Sequence, residues 1–344
     1  MAYKQEDPAF KQLRETFEIT SEVSEIFHET RIDTYLAKRF TYLSRAKWQS
    51  EIKLGKLSRN GKIVQSVHMN VNIGDTISYN GTGREEPRVD TNYSIVFEDE
   101  YLTAVNKPPN LPVHPSGRFL KNTLMGILSR DKQKEFFPIH RIDRETSGIV
   151  LFSSERKAIP MFQKALSGGV KTYFVIVHGH PEKDEFTVTV PLGPARNSLI
   201  RKKREAYAGA DQGALTRFTK VMLLGKLSLL KAVIETGRTH QIRAHCLHAA
   251  LPVAGDKIYG LDERCYLDFI ENGMNSAITS ALGFHRSALH CASIKLIHPF
   301  SGRELLIETP LPADMVSLIC DYCYVKDSAT VQAACPAGIA NCKG

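Results

Sequence analysis

The residues best placed to do chemistry lie in one stretch, His140-Arg141-Ile142-Asp143-Arg144-Glu145-Thr146-Ser147-Gly148, which runs straight into the apolar Ile149-Val150-Leu151-Phe152. Polar residues just before a strongly apolar strand put Asp143 on a loop at the strand's mouth, where reactive groups are displayed. An ionised carboxylate there could act as a nucleophile or as a general base. The same pattern also describes a turn held by local side-chain hydrogen bonds, so these residues alone do not name a reaction. An aspartate that must stay charged away from water needs a guanidinium nearby. In ETGRTHQIRAH, residues 235–245, Thr239 is expected to N-cap a helix after Gly237, with Ile242, Cys246 and Ala249 as its apolar stripe. Arg243 falls outside that stripe and, from the spacing alone, reads as a surface arginine.

Three further elements must position these groups. Ser94 to Glu98 and Leu102 to Asn106 are β-favouring runs separated by the turn-like Asp99-Glu100, and together they predict a hairpin. It leads into Lys107-Pro108-Pro109-Asn110-Leu111-Pro112-Val113-His114-Pro115, whose prolines make a stiff loop suited to wall a site. In Lys171-Thr172-Tyr173-Phe174-Val175-Ile176-Val177, strand alternation sends Tyr173, Val175 and Val177 to one face, where a tyrosine ordinarily packs into a core.

A different chemistry marks the beginning of the chain. Between Arg31 and Lys62, nine basic residues stand against Asp33 and Glu51, a net +7 that is nearly the whole +8 excess of the protein. Ile32 with Leu36, and Trp48 with Ile52, have the spacing of two short helices. Gly55 is suited to close the second in a left-handed conformation, Asn60-Gly61 to turn a hairpin, and Gly74-Asp75 to lead into a last strand, Thr76 to Tyr79. The basic residues form either a solvated face or a ridge that contacts phosphates without reading sequence. The candidates for phosphate contact are Arg31, Arg45, Lys47, Lys53, Lys56, Arg59 and Lys62.

RIDTYLAKRF, SRAKWQSEIKLGKLSRNGK and NIGDTISY, in that order, resemble the αL RNA-binding domain named after the fourth ribosomal protein of the small subunit. HRIDRETSGIVLF resembles the catalytic signature of RluA-type RNA pseudouridine synthases, HRLD followed by TSG, with Ile142 as a volume-conserving change. VNKPPNLPVHPSG at 105–117, KTYFVIVHG at 171–179, ETGRTHQIRAH at 235–245 and ALHCASIKLIHPFSGRE at 288–304 follow in the order that family requires. Asn110 stands where the family has glycine, and asparagine tolerates positive φ better than most residues.

The resemblance implies an α+β fold: a small αL RNA-binding domain, then a catalytic domain built on a mainly antiparallel mixed sheet with flanking helices. The implied divisions are an extension over 1–23, the RNA-binding domain over 24–80, a linker over 81–92, the catalytic domain over 93–312, and a C-terminal helix with a Cys-containing tail over 313–344. It further implies that Asp143 is the catalytic carboxylate, that Arg243 lies against it, and that Tyr173 stacks on the target uracil. Arg141 matches the arginine that fills the gap left by the flipped base, a vacancy that otherwise costs a few kcal/mol. His140 reads more simply as a structural hydrogen-bonding residue. Arg201-Lys202-Lys203-Arg204 is either a solvated loop or a further phosphate contact. The implied partner is RNA, ribosomal RNA of the large subunit ahead of transfer RNA, with no protein partner. Because the isomerisation adds and removes no atoms, no cofactor is expected.

Competing classes fit less well. Cys320-Asp321-Tyr322-Cys323 with Cys335 and Cys342 could supply zinc thiolates, but a second C-x-x-C is missing, so no metal is expected. His180-Pro181-Glu182 has the spacing of a zinc deaminase's H-x-E without its P-C-x-x-C. A retaining glycosidase would need a second carboxylate block, and the basic module by itself would fit a non-enzymatic RNA-binding protein. Seven scattered cysteines are unlike a disulfide framework. The chain starts with polar residues and carries no long apolar run, so a cytoplasmic protein away from membranes is expected.

Overall fold

A computed structural model describes residues 16–40, 43–82, 86–116, 119–198, 200–260 and 262–323. The chain divides into two compact units, one of residues 1–88 with 115–122 and the other of residues 89–114 with 123–344. Among the described residues, no helix is long and apolar enough to cross a membrane.

The first unit contains β1 (Thr16–Glu22), β2 (Thr30–Arg31), α1 (Ile32–Arg39), α2 (Arg45–Lys53), β3 (Leu57–Arg59), β4 (Lys62–Ile63), β5 (Asn70–Val71) and β6 (Thr76–Thr82). Both helices arise where the apolar spacing predicts them. Their buried residues Ile32, Leu36, Trp48 and Ile52 form one core with Tyr79, and Trp48 meets the Tyr79 ring edge-on at 4.9 Å. Gly55 adopts φ +70, and Asn60 and Gly61 adopt φ 51 and 77, the two successive left-handed residues of a tight hairpin turn. The boundary expected at residue 24 needs correction. Strand β1 pairs antiparallel with β6 from Thr16↔Thr82 to Glu22↔Thr76, so the folded module begins before that point. The run Thr16 to Glu22 has no glycine, proline or long apolar pattern to announce it as a strand, and its ladder partner lies about sixty residues on. Residues 115–122 are tied to this unit by Glu86, whose carboxylate accepts from the backbone N–H groups of Leu120, Lys121 and Asn122.

The second unit begins with β7 (Ser94–Glu98) and β8 (Thr103–Lys107), the expected hairpin, followed by α3 (Leu124–Asp131), β9 (Phe137–Pro138), β10 (Ser147–Ser153), α4 (Ile159–Ser167) and β11 (Val170–His178). Then come β12 (Glu185–Val188), β13 (Leu192–Pro194), β14 (Arg204–Ala206), β15 (Thr216–Leu224), β16 (Leu227–Ile234), α5 (Gln241–His248), α6 (Arg264–Asn272), α7 (Ser276–Leu282), β17 (Leu289–Ile297), β18 (Glu304–Glu308) and α8 (Ala313–Cys323). Ten strands form one mixed sheet in the order β12-β15-β16-β11-β17-β10-β8-β7, with β18 on β17 and β9 on β10. Its pairings are antiparallel except for β10 with β17, which run parallel. The tail expected from residue 313 is also corrected at its start. Met315, Leu318 and Ile319 of α8 are buried with Ile176, Leu227 and Leu229, so this helix is part of the second unit's core. Cys335 and Cys342 lie outside the described residues, and among the described ones no group of three His, Cys, Asp or Glu is arranged to hold a metal.

The parallel pairing explains one glycine. Gly148, opposite Cys291, has φ +105, and a Cβ there would sit 2.2 Å from the Cys291 carbonyl oxygen. Backbone cannot yield there as a flexible side chain would. Gly148→Ala is therefore expected to destabilise the protein by roughly 3 kcal/mol or more, seen as a lower urea midpoint in equilibrium unfolding.

Candidate active site

Asp143 lies on the loop between β9 and β10, in a turn closed by the Thr146 N–H donating to its carbonyl. Its side chain keeps 23 % of its surface exposed at the mouth of a cleft. The cleft is lined by Arg141, Ile142, Tyr173, Arg238, His240, Arg243 and Leu289, among others. Arg243 Nη1 donates to Asp143 Oδ2 at 2.7 Å. The same guanidinium grips Asp256 through two parallel bonds, from Nε and from Nη2, the latter at 2.8 Å. It also lies 4.8 Å from the centre of the Tyr259 ring. Arg243 is thus buried, contrary to a surface reading, because three sides of it are occupied.

The electrostatics follow from that contact. Burial pushes the Asp143 carboxyl upward, but the Arg243 charge and hydrogen bond more than offset this and hold it below the ordinary carboxylate value. Asp256 is fully buried and also accepts from the backbone N–H groups of Ile258 and Tyr259, each at 2.9 Å. Burial again opposes ionisation there, and the Arg243 interactions overcome it, bringing the group from 3.8 to about 2.

The loop carrying Asp143 is anchored on both flanks. Buried Lys107 donates from Nζ to the carbonyls of Pro108 and Arg144, and the Leu111 N–H donates to the same Arg144 carbonyl. Asn110 takes φ 56, so the prolyl loop forms without the family's glycine. On the other flank, Glu145 accepts two bonds from Lys257 Nζ and one from the Ser287 N–H. His140 accepts the Leu151 N–H at 3.1 Å, the structural role expected of it. Burial, first, takes its ring down to about 4.

Tyr173 is part of the core cluster and also faces the cleft. Between Thr172 and Tyr173 the ladder with β17 shifts register, a bulge of the kind that re-aims a side chain beside a site. Burial, and then its hydrogen bond with the Cys291 thiol, raises the Tyr173 hydroxyl well above its ordinary value, so it stays protonated. Arg141 is exposed at the cleft, 3.5 Å from His114 Nε2. The expected cap Thr239 is corrected: His240 occupies the N-cap of α5 with φ 59 and makes no side-chain cap bond. The Gln241 amide takes over the local bonding, accepting from Arg238 N and Thr236 Oγ1 and donating to Leu215 O and Thr216 Oγ1. Asp256, His240 and Tyr259 are the site residues that sequence reasoning missed. The only local sign was a charged Asp-Lys pair after Val253-Ala254-Gly255, which has no periodicity to interpret.

The basic candidates of the first unit separate into two groups. Arg31 and Arg45 both pair with buried Asp33 at 3.0 Å, Lys56 pairs with Glu51 at 2.9 Å, and Arg59 pairs with Asp75 at 2.7 Å. These four are partly engaged in holding their own fold. Lys47, Lys53 and Lys62 are exposed. Of the second basic cluster, Lys203 pairs with Glu263 at 2.8 Å, and Lys202 lies 4.6 Å from the centre of the Tyr266 ring.

Residues 101–248 match the family described as RNA pseudouridylate synthase. Over 302 residues, the chain is 32% identical to the ribosomal large subunit pseudouridine synthase D of Zymomonas mobilis, covering 83% of this chain and 91% of that protein. It is 29% identical to the enzyme of the same name from Escherichia coli K12, over 88% of this chain and 93% of the relative. An uncharacterized RNA pseudouridine synthase of Bacillus subtilis is 30% identical, over 84% and 93%. In fold, the chain resembles human RNA pseudouridylate synthase domain containing 4, with a TM-score of 0.52 and 22% identity over 66% of this chain and 92% of that one.

The Arg243 contacts make stability depend on pH. Asp256 binds its proton more weakly in the fold, at about 2, than at its ordinary 3.8. It therefore stabilises the protein by about 2 kcal/mol at neutral pH, and this is lost as pH falls from about 4 towards about 2. Asp256→Asn should flatten the acid limb of a stability-against-pH curve. At pH 7 it should cost about 3 kcal/mol, because Arg243 loses a buried charge partner.

Proposed function

Because the chain belongs to the RluA-type family of RNA pseudouridine synthases, we propose that it isomerises specific uridines of large-subunit ribosomal RNA, with Asp143 as the catalytic carboxylate. The reaction breaks the bond between uracil N1 and ribose C1′, turns the base, and joins C5 to C1′. The C5 proton leaves and N1 gains one, so the composition of the RNA does not change. The observation that carries this reading is a carboxylate kept ionised by Arg243 while part of it stays open to the cleft. Such a group can add to the sugar or to the base, or remove a proton. The names of the Zymomonas and Escherichia relatives support ribosomal RNA as the substrate.

In this reading each neighbour has a part. Arg243 stabilises the anionic form of Asp143. Tyr173, protonated and partly walled by the core, offers its ring face to an extruded uracil. Arg141, exposed at the rim, takes the place vacated in the RNA stack. The first unit, as an αL RNA-binding domain, gives affinity through Lys47, Lys53 and Lys62, with Arg31, Arg45, Lys56 and Arg59 adding positive charge from within their own ion pairs.

The decisive test is mass-spectrometric mapping of pseudouridine in total RNA from cells with the wild-type protein, with none, or with Asp143→Asn. One or a few large-subunit positions should disappear in both altered strains. Loss of transfer RNA sites instead would move the substrate, and survival of every site in both would leave only RNA binding. The basic module makes a second expectation. Reversing Lys47, Lys53 and Lys62 to glutamate should weaken binding similarly for different RNA sequences. It should also reduce the slope of log affinity against log salt by about 1 per lost phosphate contact, as measured by filter binding across salt concentrations.

A further inference from the structure

The Asp143 carboxylate has two oxygens, and Arg243 bonds only one of them. Oδ2 accepts from Arg243 Nη1, whereas Oδ1 is faced by His240 Nε2 at 3.7 Å. His240 reaches this position through a left-handed backbone, φ 59 and ψ 20, at the N-cap of α5, and its side chain caps nothing. A non-glycine residue held in that region costs stability and marks positions that the surroundings over-determine.

The surroundings here include Tyr259, a fully buried residue. Its hydroxyl accepts the Arg204 backbone N–H at 2.7 Å and lies 2.8 Å from His240 Nδ1. A backbone N–H can only donate, so the hydroxyl still has its own proton to place, and Nδ1 is the acceptor within reach. With Nδ1 accepting, the proton of the imidazole sits on Nε2, directed towards Asp143. Burial, and then the Arg243 charge, also brings the His240 ring down to about 4, consistent with one ring proton at neutral pH.

We propose that His240 is a positioning residue for Asp143: with Tyr259 fixing its ring at Nδ1, it presents an Nε2–H to Oδ1 and so determines which carboxylate oxygen faces the substrate. This rests on the reading of Asp143 as the catalytic carboxylate. At 3.7 Å the contact is longer than a hydrogen bond, so Oδ1 is oriented but remains available to react. Arg243 holds the ionised form and fixes Oδ2, and His240, facing Oδ1, completes the setting of the rotation about the Cβ–Cγ bond.

The test depends on the order of two substitutions. Asparagine tolerates the left-handed backbone better than glutamine but places its amide near Nδ1, whereas the glutamine amide reaches the place of Nε2. With a [5-³H]uridine-labelled transcript of large-subunit ribosomal RNA, tritium release reports the C5 proton lost in each turnover. His240→Asn should lower kcat about 10- to 100-fold with KM within about threefold. His240→Gln should recover most of that loss. If His240 served only the backbone, asparagine would be the better replacement, and that order, or wild-type kcat in both variants, overturns the proposal. Long-range ¹H–¹⁵N spectra of the wild-type protein provide a readout independent of activity: an Nε2–H tautomer at His240 is expected, and an Nδ1–H tautomer overturns the proposal. Wild-type protein that releases no tritium while showing the Nε2–H tautomer would instead overturn the synthase reading on which the assignment rests.

Discussion

The site depends on one guanidinium shared between two aspartates. Arg243 is bidentate to Asp256 and singly bonded to Asp143, and the two partners serve different ends. Asp256 has no open surface and is further satisfied by two backbone N–H groups, so it fixes the guanidinium in place. Asp143 receives a single bond, from Nη1, and stays partly open. Stability alone does not account for such a cluster, because apolar residues of similar volume often serve a core at least as well as a buried ion pair. What an apolar core could not do is keep a carboxylate charged at the mouth of a cleft.

A charge anchored from the helix side is useful only if the loop bearing its partner is equally fixed. Here the two anchorages join. Asp256 Oδ2 accepts from Ser287 Oγ at 3.4 Å, and the Ser287 N–H donates to Glu145 at 3.1 Å. Glu145 lies two residues after Asp143, so the chain closes a ring through Asp143, Arg243, Asp256, Ser287 and Glu145. Lys257 and Arg286 brace it, Lys257 through Glu145 and Arg286 through the Glu145 carbonyl and a bidentate pair with Asp314. Helix α8 therefore contributes to the position of the loop although none of its residues lines the cleft. Rigid closure of this kind limits displacement of Asp143 to small excursions, and misplacement of a reacting group by about 1 Å can cost about 100-fold in rate.

Much of this was legible in the sequence where a local pattern carried it. The two short helices, the Asn60-Gly61 turn, the 94–106 hairpin and the loop position of Asp143 each arise within a few residues, from periodicity or turn chemistry. The pairing of Arg243 with Asp143 spans a hundred residues, and only the family resemblance pointed to it. Strand β1 was missed because its alternation, Phe17 and Ile19 among polar residues, is short and its partner β6 lies about sixty residues on. Asp256 and Tyr259 were missed for the same reason: each does its work by touching residues distant in sequence. The Thr239 cap illustrates a different failure. The usual cap residue was present, but the chain turns left-handed at the next position, His240, and no side chain caps the helix.

Burial is the main influence on the protonation states around the cleft. Tyr173 and Tyr259 keep their protons because burial raises both hydroxyls, while burial takes His140 and His290 down to about 4. Lys107, wholly enclosed, is also pushed well below its ordinary value, by burial first and then by the Arg286 charge. In direct contact with Asp143, the single guanidinium of Arg243 is shared with a second carboxylate, Asp256. Arg141 and Arg238 are exposed where they line the same cleft. A polyanionic strand is attracted to such a rim. Uracil carries no charge at neutral pH, so in the proposed reading the base enters the cleft while the backbone stays with the arginines at its edge.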